Sequence, residues 1–343
     1  MKNKHILIVL SLSSALLAGC GSTTADISSA ATVNIPLAPL APSADELKKD
    51  QKIVLLPFET TDVLHTIVAT NGYPILEQAL MQAGNTVIER DIAAKMRNEL
   101  LVAEKTGKYR TSGLQAADIA VMVKVVNSSV GSKFTERSSW TDKKGRSQSS
   151  PAECNYSGEA KLYVRAYRLP EMAQLGSFEF EGKASASTEI NNSNCPISAG
   201  AAEGLITSAT ETAIRENQFK LLNELVPSNY ILERRQVPGE KNTALFLTSL
   251  SNTKGAKKGA KVNFYRRELK TNQLTKEEFI EEVLLTTGEI TDKIDSNGSY
   301  ILVKDADNIN KLMLGDVVKI EHDRCPDGYF SMLGSCHKSI NIF

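Results

Sequence analysis

The chain's only long apolar stretch lies at its extreme N-terminus, and this position constrains what the rest can become. Lys2 and Lys4 precede an apolar run from Ile6 to Leu10 that continues through Leu12, Ala15, Leu16 and Leu17 and ends in the small residues Ala18 and Gly19, just before Cys20. A short, positively flanked stretch closing on small residues is a secretory-type signal. It is too short for a lasting span of a bilayer about 30 Å thick, which takes roughly 20 residues. No later stretch approaches 18 uninterrupted apolar residues, which excludes a helical transmembrane channel. Whatever follows the signal must bury its apolar residues against itself.

Leu17-Ala18-Gly19-Cys20 resembles the bacterial lipobox. The resemblance implies cleavage before Cys20 and acylation of that cysteine, which holds a protein at a membrane surface without spanning it. Gly21, where an Asp would mark retention at the inner membrane, implies the outer membrane, with the body of the protein facing the periplasm.

The 343 residues, 41% of them hydrophobic, suffice for two domains with a sizeable core. Lysine plus arginine balance aspartate plus glutamate at 40 each, and loss of Lys2 and Lys4 with the signal leaves a net charge of −2. Nothing in that balance draws nucleic acid. Apart from Cys20, four cysteines remain, Cys154, Cys195, Cys325 and Cys336, an even number in a compartment that permits disulfides. Four cysteines allow three pairings; closeness in sequence favours Cys325 with Cys336, leaving Cys154 with Cys195.

Residues 20–50, rich in Ser, Thr, Ala and Pro with "IPLAPLAPS" at Ile35 to Ser43, read as the lipid anchor and a flexible tether. About thirty flexible residues reach on the order of 30 Å. Order begins with "KIVLLPF" at Lys52 to Phe58, an apolar run of the covered-strand type. Ile75, Leu76, Ala79, Leu80 and Ala83 carry helical spacing, stopped by Gly84 and Asn85. "TVIER" at Thr86 to Arg90 predicts a strand, Asp91 caps a predicted helix to about Lys105, and "DIAVMVKVV" at Asp118 to Val126 predicts a third strand. Strands alternating with helices predict an α/β sheet.

Beyond Asn127 the pattern changes. Residues 128–156 are polar and turn-rich and hold Trp140, the chain's one tryptophan. Ala160, Leu162, Val164 and Ala166 then alternate with polar residues, and Phe178 and Phe180 alternate with Glu179 and Glu181, predicting an antiparallel hairpin folded near Ala173 and Gln174. That fold brings Cys154 and Cys195 towards each other across the open end. A long helix is predicted over Ala199 to Leu225, ended by Pro227. Five or six short strands between Thr243 and His322, with Asn297-Gly298 as a hairpin turn, predict a small closed barrel over 227–322.

At "KIVLLPF", "VIERDIAAKMRNELLVAEKTGKY" and "SGLQAADIAVMVKVV" the chain resembles the CsgG family. The matching residues are Pro57, Phe58, Glu89, Arg90, Glu99, Gly107, Ala117 and Asp118. The resemblance covers about residues 50–226 and extends to the N-terminal domain of TolB-like proteins and to the LpoB type of penicillin-binding-protein activator. It implies an α/β (α+β) domain over 51–226 with an extended antiparallel hairpin, and in CsgG itself such hairpins build a secretion ring. "GAKKGAKVNFYRR" and "LMLGDVVKI" resemble the barrel ending the flagellar protein FlgT, which implies a small all-β, SH3-like barrel. "CPDGYFSMLGSCHK" resembles the opening hairpin of C-type lectin domains over 14 residues, which implies a disulfide-stapled hairpin within 323–343 and no sugar or calcium site.

Catalytic motifs are missing: no Gly-x-Ser-x-Gly, no phosphate-binding Gly-x4-Gly-Lys-Ser/Thr and no His-Glu-x2-His. His322, Cys325, Cys336 and His337 have the residue types of a zinc site, but the adjacency of Cys336 and His337 is awkward for two ligands, and exported thiols oxidise. The expectation is a non-enzymatic protein without cofactor or metal. Its partners are the bilayer through acylated Cys20 and either copies of itself or other envelope proteins. The working segments are Ser128 to Tyr156 and Gly176 to Cys195. The basic clusters at Lys257 to Lys261 and Arg266 to Leu269, together with Trp140, Tyr163 and Tyr167, are secondary candidates for contacts.

Overall fold

The computed structural model describes residues 29–88, 93, 117–240 and 242–325, together with the backbone of 329–332 and 335–338. Cys20, with the signal before it, lies outside the described residues, as does nearly all of the helix predicted from Asp91 to about Lys105.

Part of the stretch expected to be a flexible tether is instead held by the barrel. From Ala30 onward the chain is fastened down: β1 (Ala31–Val33) pairs with a barrel strand, Ala31 opposite Gln236 and Val33 opposite Arg234. Leu37 bridges to Leu314, with Ala38 N donating to Leu314 O at 2.9 Å and Leu314 N to Pro36 O at 2.9 Å. A strand edge offers unpaired amides and carbonyls whatever the side chains are, so a Ser/Thr/Ala/Pro composition does not keep this segment in solution. Helix α1 (Ala44–Lys48) follows, closed by a capping box in which Ser43 and Glu46 satisfy each other's backbone N–H groups.

The first domain is a five-stranded mixed sheet in the order β3-β2-β4-β7-β8. β2 (Lys52–Leu55) runs parallel to both β3 (Thr86–Val87) and β4 (Ile119–Thr135), while β7 (Glu153–Arg168) and β8 (Ala173–Glu189) add antiparallel. Between β2 and β3 runs α2 (Val63–Gln82), whose N-cap Asp62 accepts from His65 N at 2.9 Å; the helix therefore starts twelve residues before the spacing from Ile75 suggested. It packs with α3 (Ala199–Glu224) on one face of the sheet, over a core that includes Ile53, Leu55, Leu76, Leu80, Val123, Leu162, Phe180 and Ile214. The other face carries Val54, Leu56, Ala120, Met122, Tyr167 and Ala93.

The predicted third strand does not stop at Val126. After a bulge between Val125 and Asn127, β4 continues to Thr135, paired residue for residue with β7 as far as Glu153. A two-stranded ribbon of β5 (Ser138–Thr141) and β6 (Ser147–Ser150) completes this long hairpin. Residues 128–156 are polar as read and still form the expected hairpin, because a ladder needs only backbone groups, and the pairing of Asn127–Thr135 with β7 supplies them.

The second domain is a closed six-stranded barrel: β9 (Asn229–Gln236), β10 (Ala244–Thr248), β13, β12, β11 and β14, with β14 returning to β9. β11 spans Lys261–Thr271, β12 Glu278–Ile294, β13 Ser299–Val303 and β14 Val317–Ile320. The two strands read at Phe279 to Leu285 and Gly288 to Ile294 are one, and β9 is an additional strand that alternation did not reveal. β9 divides its edge: Asn229 and Tyr230 pair with β14 to close the barrel, and Arg234 to Gln236 take β1. The barrel domain thus includes residues 31–38 as well as 227–322. Phe246 and Phe264, with ring centroids 5.8 Å apart, sit in its core. At the C-terminus, β15 (Tyr329–Met332) and β16 (Ser335–Lys338) form an antiparallel hairpin.

The domains meet closely. Gly84, with φ +87°, turns the chain after α2 so near the barrel that a Cβ there would lie 2.4 Å from the carbonyl oxygen of Lys254. Asn223 and His322 exchange hydrogen bonds, Nδ2 to O at 2.9 Å and N to Oδ1 at 2.8 Å. Within the first domain, Gln51 Nε2 donates to Leu225 O and to Asn85 Oδ1, both at 2.8 Å.

Candidate functional site

The long hairpin is the feature of this fold that its core does not require. β4, β7 and β8 continue together well past the short parallel pairing of β4 with β2, as far as the row Thr135, Glu153 and Glu189. We refer to this three-stranded extension as the blade. α3 runs along one of its faces. That approach requires glycines: a Cβ on Gly158 would lie 2.8 Å from the backbone of Leu205, and one on Gly182 only 2.1 Å from Ala209 O. At the far end Cys154 is bonded to Cys195, with Cα atoms 5.4 Å apart, and Tyr156 Oη donates to Pro196 O at 3.0 Å. The start of α3 is therefore held on the blade's tip, covalently through β7.

The opposite face is polar along its whole length. Pair by pair it presents Asn127, Lys161 and Glu181; Ser129, Glu159 and Lys183; Gly131, Ser157 and Ser185; Lys133, Asn155 and Ser187. Lys161 bridges Glu179 and Glu181, and Lys183 pairs with Glu159 at 2.9 Å. The Lys161 ammonium holds the Glu181 carboxyl below its usual range, and Glu159 holds the Lys183 ammonium above its own. A strand facing lipid needs apolar side chains at every second position. Neither face qualifies, since one is covered by α3 and the other carries these charges.

What remains open are the edges. β8 is terminal in the sheet, so one side of all 17 residues is unpaired by any described strand. β4 meets β2 only from Ile119 to Val121, with one further bridge at Lys124, so its edge from Val126 to Thr135 is open as well. Exposed strand edges are templates for pairing with another chain. Both segments singled out from the sequence, Ser128 to Tyr156 and Gly176 to Cys195, contribute to the blade.

The other candidate residues fall elsewhere. Cys325 is disulfide-bonded, so it carries no thiolate for a metal, while the side chains of Cys336 and His337 lie outside the described residues. Among the described residues no group of His, Cys, Asp and Glu could hold a metal ion. His322 is partly buried between the domains, and this desolvation, seconded by the charge of Lys257, lowers its pKa to about 4. Arg266 and Arg267 are not the free basic patch they seemed. Arg266 is bound by Asp316; Arg267 donates to Tyr230 Oη at 3.1 Å and pairs with Glu46 of α1 at 3.5 Å. Tyr167 is buried in the second core, while Tyr163 and Trp140 are exposed. Sequence reasoning missed a projecting arm in the barrel, where Leu274 is 94% exposed. Its signal was there: apolar residues on both sides of a polar turn, in strands longer than a small barrel uses.

No protein-family model matches the chain, and neither does any curated protein. Solved structures similar to it include hypothetical protein CT253 from Chlamydia trachomatis, 12% identical over 52% of this chain and 98% of that one, with a TM-score of 0.29. Lipoprotein GNA1162 from Neisseria meningitidis is 14% identical over 47% and 96%, with a TM-score of 0.20. A minor lipoprotein from Acinetobacter baumannii is 10% identical over 55% and 97%, with a TM-score of 0.24. Superpositions this loose bear on neither activity nor partner.

Proposed function

We propose that the protein is a non-enzymatic lipoprotein of the bacterial outer membrane, anchored by Cys20 and facing the periplasm, which oligomerises as part of a secretion or surface-appendage assembly. The observation that carries this reading is the pair of unlike open edges on one blade, β8 on one side and Val126 to Thr135 of β4 on the other. If β8 of one copy adds to β4 of the next, the contact is head-to-tail, and head-to-tail contacts close into rings when the rotation per copy allows. The resemblance to the CsgG family, where hairpins at this place build a ring, points the same way, although here the blade's faces suit water and not lipid. No described helix is long and apolar enough to cross a membrane.

The strap formed by residues 31–38, which pairs with the barrel through β1 and Leu37, argues against a protein that reaches across the cell wall to activate a synthase, the role suggested by the LpoB likeness. Only eight residues lie between Cys20 and Ser29, where the described chain begins, and the nine Cα–Cα steps span about 30 Å at most.

Light scattering and negative-stain imaging of the full-length lipoprotein in mild detergent test the proposal. The expected result is a symmetric complex of several copies; a strictly monomeric particle at working concentration overturns it.

A further inference from the structure

The barrel's β11 and β12 continue as a two-stranded arm beyond the rest of the barrel. β14 pairs β11 only from Val262 to Tyr265, and β13 pairs β12 only from Glu289 to Ile294, yet β11 and β12 remain paired out to Thr271 and Glu278. Six residues past Tyr265, at about 3.3 Å each, make a projection of about 20 Å. Its base is rigid, because Arg266 is held by Asp316 and by Lys311 O, and Arg267 by Tyr230, Glu46 and Glu282. Four large apolar side chains are exposed towards its end, around a turn that also carries Asn272, Lys276, Glu277 and Glu278: Leu269 and Ile280 face each other across the strands, Phe279 lies on the opposite side, all are about half exposed, and Leu274 crowns the turn. Large apolar side chains gathered on an exposed tip mark a contact site.

The register shows which end of the barrel this is. β14 runs antiparallel to both β9 and β11, so the arm leaves the barrel in the direction in which β9 runs towards Gln236. β1 runs antiparallel to β9, with Ala31 opposite Gln236, so the N-terminal segment enters the barrel at that same end. The opposite end, with Gly255 and His322, meets the first domain.

We propose that the tip of the β11–β12 arm, Leu269, Leu274, Phe279 and Ile280, seats in the lipid surface to which Cys20 is anchored. This inference rests on the lipid-anchor reading. The eight residues between Cys20 and Ser29 keep the entry end of the barrel within about 30 Å of the membrane, a distance comparable with the arm's own reach. The arm between Glu268 and Glu281 carries Lys270 and Lys276 against Glu268, Glu277, Glu278 and Glu281, a net charge of −2. The contact is therefore apolar, made with neutral headgroups and their acyl chains and not through attraction to anionic lipid. With the acyl anchor it supplies a second point of attachment, which fixes the barrel's orientation where a single tether leaves it free to turn.

The test uses full-length acylated protein in phosphatidylethanolamine-rich vesicles, carrying an environment-sensitive fluorophore on Leu274→Cys or, for comparison, on Lys143→Cys in the blade's ribbon turn. Flotation reports the anchor, and quenching by brominated lipid reports the arm. Protein that floats with the 274 label blue-shifted and strongly quenched, and the 143 label unaffected, supports the proposal. Protein that floats with the 274 label as wet as the 143 label overturns it and leaves the anchor standing. A 274 label shielded from iodide before lipid is added marks a protein neighbour and also overturns it. Protein that does not float removes the anchor and this inference together.

Discussion

Arg266 grips Asp316 with two hydrogen bonds, Nε to Oδ1 at 2.9 Å and Nη2 to Oδ2 at 2.6 Å, across 50 residues of sequence. The Asp316 side chain is wholly buried and also accepts from Met313 N at 2.7 Å; Arg266 in turn donates to Lys311 O at 2.6 Å. One ion pair thereby ties the base of the arm to the connection that leads into β14, the strand that closes the barrel.

Removing one partner of such a pair leaves the other buried without compensation. Asp316→Ala is expected to cost about 3–5 kcal/mol, whereas replacing both residues by apolar ones, Arg266→Met with Asp316→Leu, is expected to cost far less. Urea titrations of the two variants against the parent check this. Equal losses would mean that the pair's charge is not what matters at this position.

The bond from Cys154 to Cys195 closes a loop of sequence separation 41. A loop of that length corresponds to about 4 kcal/mol of unfolded-state entropy in the chain-entropy model. Cys154→Ser with Cys195→Ser is therefore expected to lower the unfolding free energy by up to about that amount. Because the bond joins the blade tip to the segment before α3, amide exchange should quicken first from Glu153 to Tyr156 and at Ala199 onward. An unfolding curve unchanged by reductant would refute the idea that this bond carries stability.

Gly182 meets α3 with no room for a side chain, since a Cβ would come within 2.2 Å of Ala213 N. Gly182→Val must push the helix from the blade. Overpacking of this kind costs about 1–3 kcal/mol and occasionally more. Gly145→Ala, where nothing lies within 4 Å, serves as the control for a tight turn with φ +75°. If helix and blade work as one rigid body, the Gly182 variant also fails to form the proposed assembly while its barrel still unfolds normally.

How far these features were legible in the sequence differs by element, for physical reasons. The Cys154 and Cys195 pairing could be read because alternating apolar residues from Ala160 to Ala166 and again at Phe178 and Phe180 set the hairpin's turn, and the turn sets which residues meet. The outer part of β4 could not, because Asn127 to Thr135 carries small or polar residues on both faces and shows no period of two. β9 was hidden by Glu233, Arg234 and Arg235, charges that lie along a strand whose ladder is satisfied by β10, β14 and β1. The strap was hidden by its composition. Ala31 to Val33 adds only three residues to a sheet, and what holds it is a free edge created about two hundred residues later in the chain. Local pattern reports burial; it does not report which backbone edge will be vacant.

His322 makes acid the condition under which the two domains should come apart first. Its backbone is tied to Asn223, and its Nε2 is buried with no hydrogen-bond partner. Arg215, Lys257, Lys258, Lys261 and Arg324 line the same cleft, against Glu321 and Asp323. Burial and the Lys257 charge lower the pKa from 6.5 to about 4, with Asp323 opposing. The folded state thus disfavours the protonated ring, so the unfolded chain binds the proton first. Stability is unaffected above the unfolded value, falls as pH drops below about 6.5, and reaches its full loss, on the order of 3 kcal/mol, once pH is below the folded value. His322→Gln removes that titration and should flatten the stability profile between pH 6.5 and 4. Urea midpoints for both proteins at intervals across this range provide the measurement. Parallel profiles would show that the acid sensitivity arises elsewhere; convergence as pH falls would assign it to this ring.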